Sequence, residues 1–170
     1  HLRRAEAVKE CGELRRVLVR DEQGRFLGWY LYYQQPGRAG EVLQVAAAHD
    51  SGVILNRMGA DGQVTGGVVM GVGLALSEGT QLDDDGRQLN PHLLDYKLIT
   101  CSDAPEIEVD WVQIPTEGAG PRGSKGVGEP PQVPTAGAIA NAIAKVLGNR
   151  VRRLPMTPER VWAASRGVDE

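Results

Sequence analysis

The sequence predicts an α+β fold, a mixed sheet with packed helices, on three observations. Short runs at residues 26–33, 41–47 and 107–112 have the composition or the alternation of strands. Val64, Val68, Val72 and Leu76 recur four apart, which places them on one stripe of a helix. A second apolar series, Ile139, Ile143, Val146 and Leu147, lies between Thr135 and Gly148, residue types that open and close helices.

Taken in order, His1 to Lys9 is charged and helical in character, and Gly12 stops it. Arg16 to Arg20 alternates like a strand, and Asp21 to Gly24 reads as a turn. Phe26 to Tyr33 is a second strand, closed by Pro36-Gly37, and Glu41 to Ala47 a third, so residues 16–47 suggest a β-meander. Five of the eight aromatic residues fall in the second of these strands, as suits a central buried position. Composition changes near Gly40, which divides the chain into a segment 1–40 and a remainder 41–170.

From Gly62 to Ser77 the helix carries Gly66, Gly67, Gly71 and Gly73. Each glycine costs a helix interior about 1 kcal/mol. Close approach of another backbone or of a ligand is the expected compensation. Gly71-x-Gly73 lies inside the helix rather than between strand and helix, so it is no dinucleotide fingerprint. Asp83 to Gly86 lacks the alternating oxygen ligands of a calcium loop and reads as a solvated turn. Ile107, Val109 and Trp111 share one face of a half-buried strand. Thr135 is the expected cap of the next helix, Val151 to Leu154 reads as a short strand, and Thr157-Pro158-Glu159 begins a last helix.

With 170 residues, 41% of them hydrophobic and 24% charged, the chain can form one domain with a core. A formal charge of −3 argues against a nucleic-acid surface, and Arg150, Arg152 and Arg153 read as a solvated edge. No apolar run has the length of a membrane span and no secretion signal is visible, so a soluble, cytoplasmic protein is expected. Cys11 and Cys101, with His1, His49 and His92, show no metal-ligand spacing, and no metal held by protein side chains is expected.

The densest chemistry lies in Pro121-Arg-Gly-Ser-Lys125-Gly-Val-Gly-Glu129-Pro-Pro131. Glycines at 123, 126 and 128 expose backbone N–H groups, and Lys125 adds a cation. Glu129 stands before two prolines that stiffen it. Such a loop can hold an anionic cofactor with a carboxylate beside it.

The string SKGVGEPP at 124–131 is similar to the run that carries the active-site glutamate of the xanthine dehydrogenase and aldehyde oxidase family. Further segments match that family in order: Ala48-His-Asp-Ser-Gly52 with Asn56, Gly62-Gln63 with Gly66-Gly67, Leu89-Asn90-Pro91, Asp95-Tyr96-Lys97, and Leu154-Pro155 with Thr157-Pro158-Glu159-Arg160. The resemblance runs from about Val45 to Trp162 and implies the C-terminal portion of the molybdopterin-binding domain in the large subunit. It implies Glu129 as the base that removes a proton from a molybdenum-bound hydroxyl attacking an electron-poor carbon. Gln63 matches the glutamine that hydrogen-bonds the pterin, with Gly62, Lys125, Gly126 and Gly128 as further cofactor contacts.

The implied cofactor is molybdenum-molybdopterin, in one form as its cytosine dinucleotide, the metal being held by the pterin sulfurs. Implied partners are the remaining molybdenum-binding region and [2Fe–2S] and FAD domains or subunits. The implied substrate is an N-heteroaromatic compound, purine-like, or an aldehyde, with water as the oxygen source. Family subunits are several times longer, so this chain alone is expected to be inactive. Ser51 and Arg57 depart from the pattern, which usually has a small aliphatic residue and a proline there. Two other readings stay open: a non-catalytic remnant or partner-binding fragment, and an acyltransferase-like module around residues 16–47. The second has no Gly-rich pyrophosphate loop following a strand.

Overall fold

The computed structural model describes residues 29–35, 38–114, 118, 120 and 122–168, with side chains from Val42 onward. The expected helix at 1–9, strand at 16–20 and turn at 21–24 lie outside the described residues, as do Phe26 and Pro36-Gly37.

Three strands form one sheet in the order β1 (Trp29–Gln35), β2 (Arg38–His49), β3 (Glu106–Trp111). β1 runs antiparallel to β2, and β2 parallel to β3, so the sheet is mixed as expected. β2 extends beyond the expected 41–47 and spans residue 40, where the sequence reading divides the chain. Parallel neighbours need a long crossover. Here it consists of α1 (Arg57–Leu76) and the irregular segment after it. α2 (Val133–Leu147) and α3 (Pro158–Ser165) complete the order.

α1 starts five residues before Gly62, because Asn56 caps it: the Asn56 side-chain oxygen accepts from the Gly59 N–H at 3.0 Å. Its Val64, Val68 and Val72 are fully or almost fully buried and meet Val45, Ile139 and Ile143 in a single core. The glycines divide by face. A Cβ at Gly67 would come within 2.8 Å of Pro131 Cβ, and one at Gly71 within 2.5 Å of Thr135 Cβ, so the entry to α2 and its first turn rest directly on the α1 backbone. A Cβ at Gly73 would meet Glu78 and Ile99. At Gly62 and Gly66 nothing lies within 4 Å.

Thr135 is not the cap of α2. The helix begins at Val133 with Gln132 before it, and Thr135 is fully buried, its hydroxyl donating to the Pro131 carbonyl at 3.0 Å. Wedged against Gly71, it fills the helix contact instead. Gly148 closes the helix in the left-handed conformation, φ 76°, as expected. Val151 to Leu154 forms no strand: no described strand runs beside it, and β-prone residues without a ladder partner stay irregular. β3 alternates as read, with Ile107, Val109 and Trp111 turned inward, and Trp111 Nε1 donates to Asp61 at 2.6 Å. Asp83 accepts from the backbone of Asp85 and Arg87, an exposed turn. Among the described residues, no helix is long and apolar enough to cross a membrane.

The two glycine classes separate in stability measurements. Gly71→Ala should lower unfolding free energy by about 1–3 kcal/mol through overpacking against Thr135. Gly66→Ala, with open space around it, should raise it by about 0.5–1 kcal/mol. Urea titrations followed by circular dichroism read both signs, and equal losses at the two positions would contradict the packing described.

Candidate functional site

The end of β2 turns sharply at Asp50-Ser51-Gly52. Asp50 Oδ1 accepts from the Gly52 N–H at 3.0 Å, and Gly52 takes φ 61°. Side chains rarely tolerate that conformation, and a Cβ there would sit 2.0 Å from the Gly123 carbonyl oxygen. This absence of a side chain lets the glycine-rich loop close on the strand end. Val53 N–H donates to Gly123 O at 3.2 Å, Lys125 N–H to Ser51 O at 2.8 Å, and Gly52 bridges to Ser124. The Ser51 hydroxyl adds a long contact of 3.4 Å to Gly126 O.

Lys125 is paired with Asp50, Nζ to Oδ2 at 2.5 Å, the two side chains being 28% and 33% exposed. Its charge is therefore engaged within the loop anchor. The hydrogen bond from Lys125 is the main reason the Asp50 carboxyl lies below its ordinary pKa, opposed by a little burial.

From the other side, Gln63 on α1 reaches the same loop, its Nε2 donating to Gly128 O at 2.7 Å. Gln63 and Glu129, 66 positions apart in the chain, are thus brought to one locality, with Gly126, Gly128 and Glu129 all exposed. A Cβ at Gly62, Gly126 or Gly128 would meet nothing within 4 Å, leaving room beside each. Glu129 starts a turn in which its carbonyl accepts from Gln132 N–H at 3.0 Å, so the glutamate is fixed to the entrance of α2. Ser124 Oγ is buried and finds no partner among the described residues. His49 Nε2 is likewise buried and unpartnered, beside the tilted Trp111 ring, and burial holds its pKa below the ordinary value.

The sequence-predicted residues Gln63, Lys125, Gly126, Gly128 and Glu129 thus share one loop and the helix turn facing it. Two contributors were missed in that role, Asp50 as the partner of Lys125 and Gly52 as the residue that admits the loop. The Asp-x-Gly pattern was a legible turn signal. Its long-range target was not. Among the described residues no three His, Cys, Asp or Glu side chains converge to hold a metal ion. What the arrangement offers is an open cradle of backbone groups, a side-chain amide with hydrogen-bonding capacity left over, and one exposed carboxylate.

Residues 39–105 match the model of the molybdopterin cofactor-binding domain. The xanthine dehydrogenase molybdenum-binding subunit of Escherichia coli O157:H7 is 44% identical over 120 residues, 70% of this chain and 16% of that protein. The aldehyde oxidoreductase of Megalodesulfovibrio gigas is 36% identical over 116 residues, 68% of this chain and 12% of that protein. Among solved structures, quinoline 2-oxidoreductase from Pseudomonas putida 86 superposes with a TM-score of 0.68 at 29% identity, covering 75% of this chain and 16% of that one. The chain therefore spans about a sixth or less of the length of these relatives.

The ion pair at the loop anchor has a pH signature. Since the folded-state pKa of Asp50 is lowered, its contribution is present above the unfolded carboxylate value and is lost as pH falls through the folded value. An acid titration followed by carboxyl NMR should place the Asp50 midpoint below the ordinary aspartate range. In Lys125→Met it should rise toward that range. An unmoved midpoint would show that Lys125 does not hold Asp50 in solution.

Proposed function

Because this chain belongs to the family of molybdenum-binding subunits of xanthine dehydrogenases and aldehyde oxidoreductases, we propose that it forms part of the catalytic centre of a molybdenum-dependent hydroxylase, with Glu129 as general base. The observation that carries the reading is the convergence of Gln63 and the Gly126–Glu129 loop, secured by the bond from Gln63 to Gly128 O.

The residues present suit a polar, anionic pterin group. Gly62, Gly126 and Gly128 leave open space beside the backbone, and Gln63 has an amide oxygen and a second N–H beyond the one it uses. These four would hold the cofactor. Lys125, paired with Asp50, acts chiefly by holding the loop in place and has two further N–H groups to offer. When bound, the molybdenum cofactor supplies oxygen transfer and accepts two electrons.

Glu129 carries the proton chemistry. Its backbone stands on a turn tied to α2 and followed by Pro130 and Pro131, which limits the range of the carboxylate that accepts a proton from the attacking oxygen nucleophile. In balance, a substrate C–H becomes C–OH with oxygen from water, and two protons and two electrons leave. The electrons pass to [2Fe–2S] and FAD partners. Relatives named for quinoline, nicotinate and xanthine favour an N-heteroaromatic substrate for this chain's assembly, and those named for aldehydes the alternative. The rest of the molybdenum-binding region completes the pocket.

In the complete assembly containing this chain, Glu129→Gln should lower turnover per bound molybdenum by about 100- to 10,000-fold, the usual contribution of a positioned base. Molybdenum content, read by elemental analysis, should stay near that of the parent. Gln preserves shape and hydrogen bonding but cannot take the proton. Parent-like turnover per molybdenum in the variant would refute the base assignment.

A further inference from the structure

Outside the loop site, the C-terminal part of the chain concentrates positive charge. Residues 150–170 contain five arginines against two glutamates and one aspartate, in a chain of net charge −3. Three of the arginines come together in space. Arg152 and Arg153, from the irregular segment after α2, and Arg160, from α3, line one cleft whose apolar side is made by Ala163, Ala164 and Val168.

Arg160 is held in place: its Nη1 donates to the Pro155 carbonyl at 2.7 Å. Arg152 and Arg153 are exposed, and neither has a carboxylate or carbonyl partner among the described residues. Their charge is not needed to finish the end of α3. The Ala163 carbonyl already accepts from the N–H groups of Arg166 and Val168, and the Ala164 carbonyl from Gly167 N–H and Asn149 Nδ2. Nor do the other two arginines take part. Arg150 donates to Asn141 Oδ1 at 2.9 Å, and Arg166 stacks 5.1 Å from the Trp162 ring.

Three arginines line this one concavity, with the Glu159 carboxylate in electrostatic reach of Arg160, and the excess of positive charge favours a bound anion. The planar N–H fork of arginine matches the oxygens of a phosphate group, and bonds of this charge-assisted kind are the stronger class. A cleft, rather than a flat patch, favours a single compact group over an extended acidic surface. We propose that the cleft of Arg152, Arg153 and Arg160 is an oxyanion site that takes the phosphate group of a small ligand.

The test is a titration of the purified chain with inorganic phosphate, pyrophosphate and a simple phosphate monoester at constant ionic strength, followed by NMR of the arginine Nε–H signals. Saturable shifts of Arg152, Arg153 and Arg160 are expected, and the strongest of the three ligands identifies the source of the phosphate group. The double variant Arg152→Gln/Arg153→Gln should weaken binding by about tenfold or more, as expected for lost charge-assisted bonds. Arg152→Lys, which keeps the charge and loses the fork, should fall between. Arg150→Gln should bind as the parent does. Unfolding midpoints of all variants should match the parent, since the replaced side chains are exposed. Absence of saturable binding, binding indifferent to the double variant, or binding of an oligoglutamate peptide in preference to all three phosphates would each overturn the proposal.

Discussion

Everything proposed for the loop of Glu129 depends on one close contact, the Gly123 carbonyl lying where a side chain of residue 52 would be. With no Cβ and a positive φ at Gly52, the strand end and the glycine-rich loop share backbone hydrogen bonds through Val53 and Lys125, and Asp50 pairs with Lys125 across them. Any side chain at residue 52 would push the loop away and release Lys125 from its partner. The carboxylate that follows four residues after Lys125 would then have no fixed position relative to α1.

α1 is the second support, and it works through its lack of side chains as well. Gly67 and Gly71 bring α2 onto its backbone, which sets Pro131 and the buried Thr135 hydroxyl just beyond Glu129. Gln63, one turn earlier, closes the arrangement through Gly128 O. The loop is thus held at three places, by β2, by α1 and at the mouth of α2, while Gly126 and Gly128 stay open to solvent. A rigid frame around an open backbone cradle is what a bound, polar cofactor requires, because the frame need not reorganise when the group arrives.

Arg57, where the family pattern has proline, shows how a departure can be absorbed. Its guanidinium grips Asp61 at 2.9 Å, and Asp61 also accepts from Trp111 Nε1. The start of α1 is thereby fastened to the end of β3 by side chains. The hydrogen bond from Trp111 is the main reason the Asp61 carboxyl titrates below its ordinary value.

The sequence by itself determined the periodic and local features: the valine stripe of α1, the inward face of β3, the glycine stop at 148, the Asp83 turn, and, through resemblance, the family. These follow from residue spacing and backbone preference, which act over a few positions. Only the tertiary structure decided that Thr135 fills a helix contact instead of capping, that Val151 to Leu154 lacks a strand partner, and that Lys125 pairs with Asp50. Each depends on a neighbour distant in the chain, Gly71 for Thr135 and Asp50 for Lys125, and local preference carries no information about which remote group will arrive. For the same reason the glycines of α1 looked alike in sequence, and only the packed helix separated Gly67 and Gly71, which bear α2, from Gly62 and Gly66, which bear nothing within 4 Å.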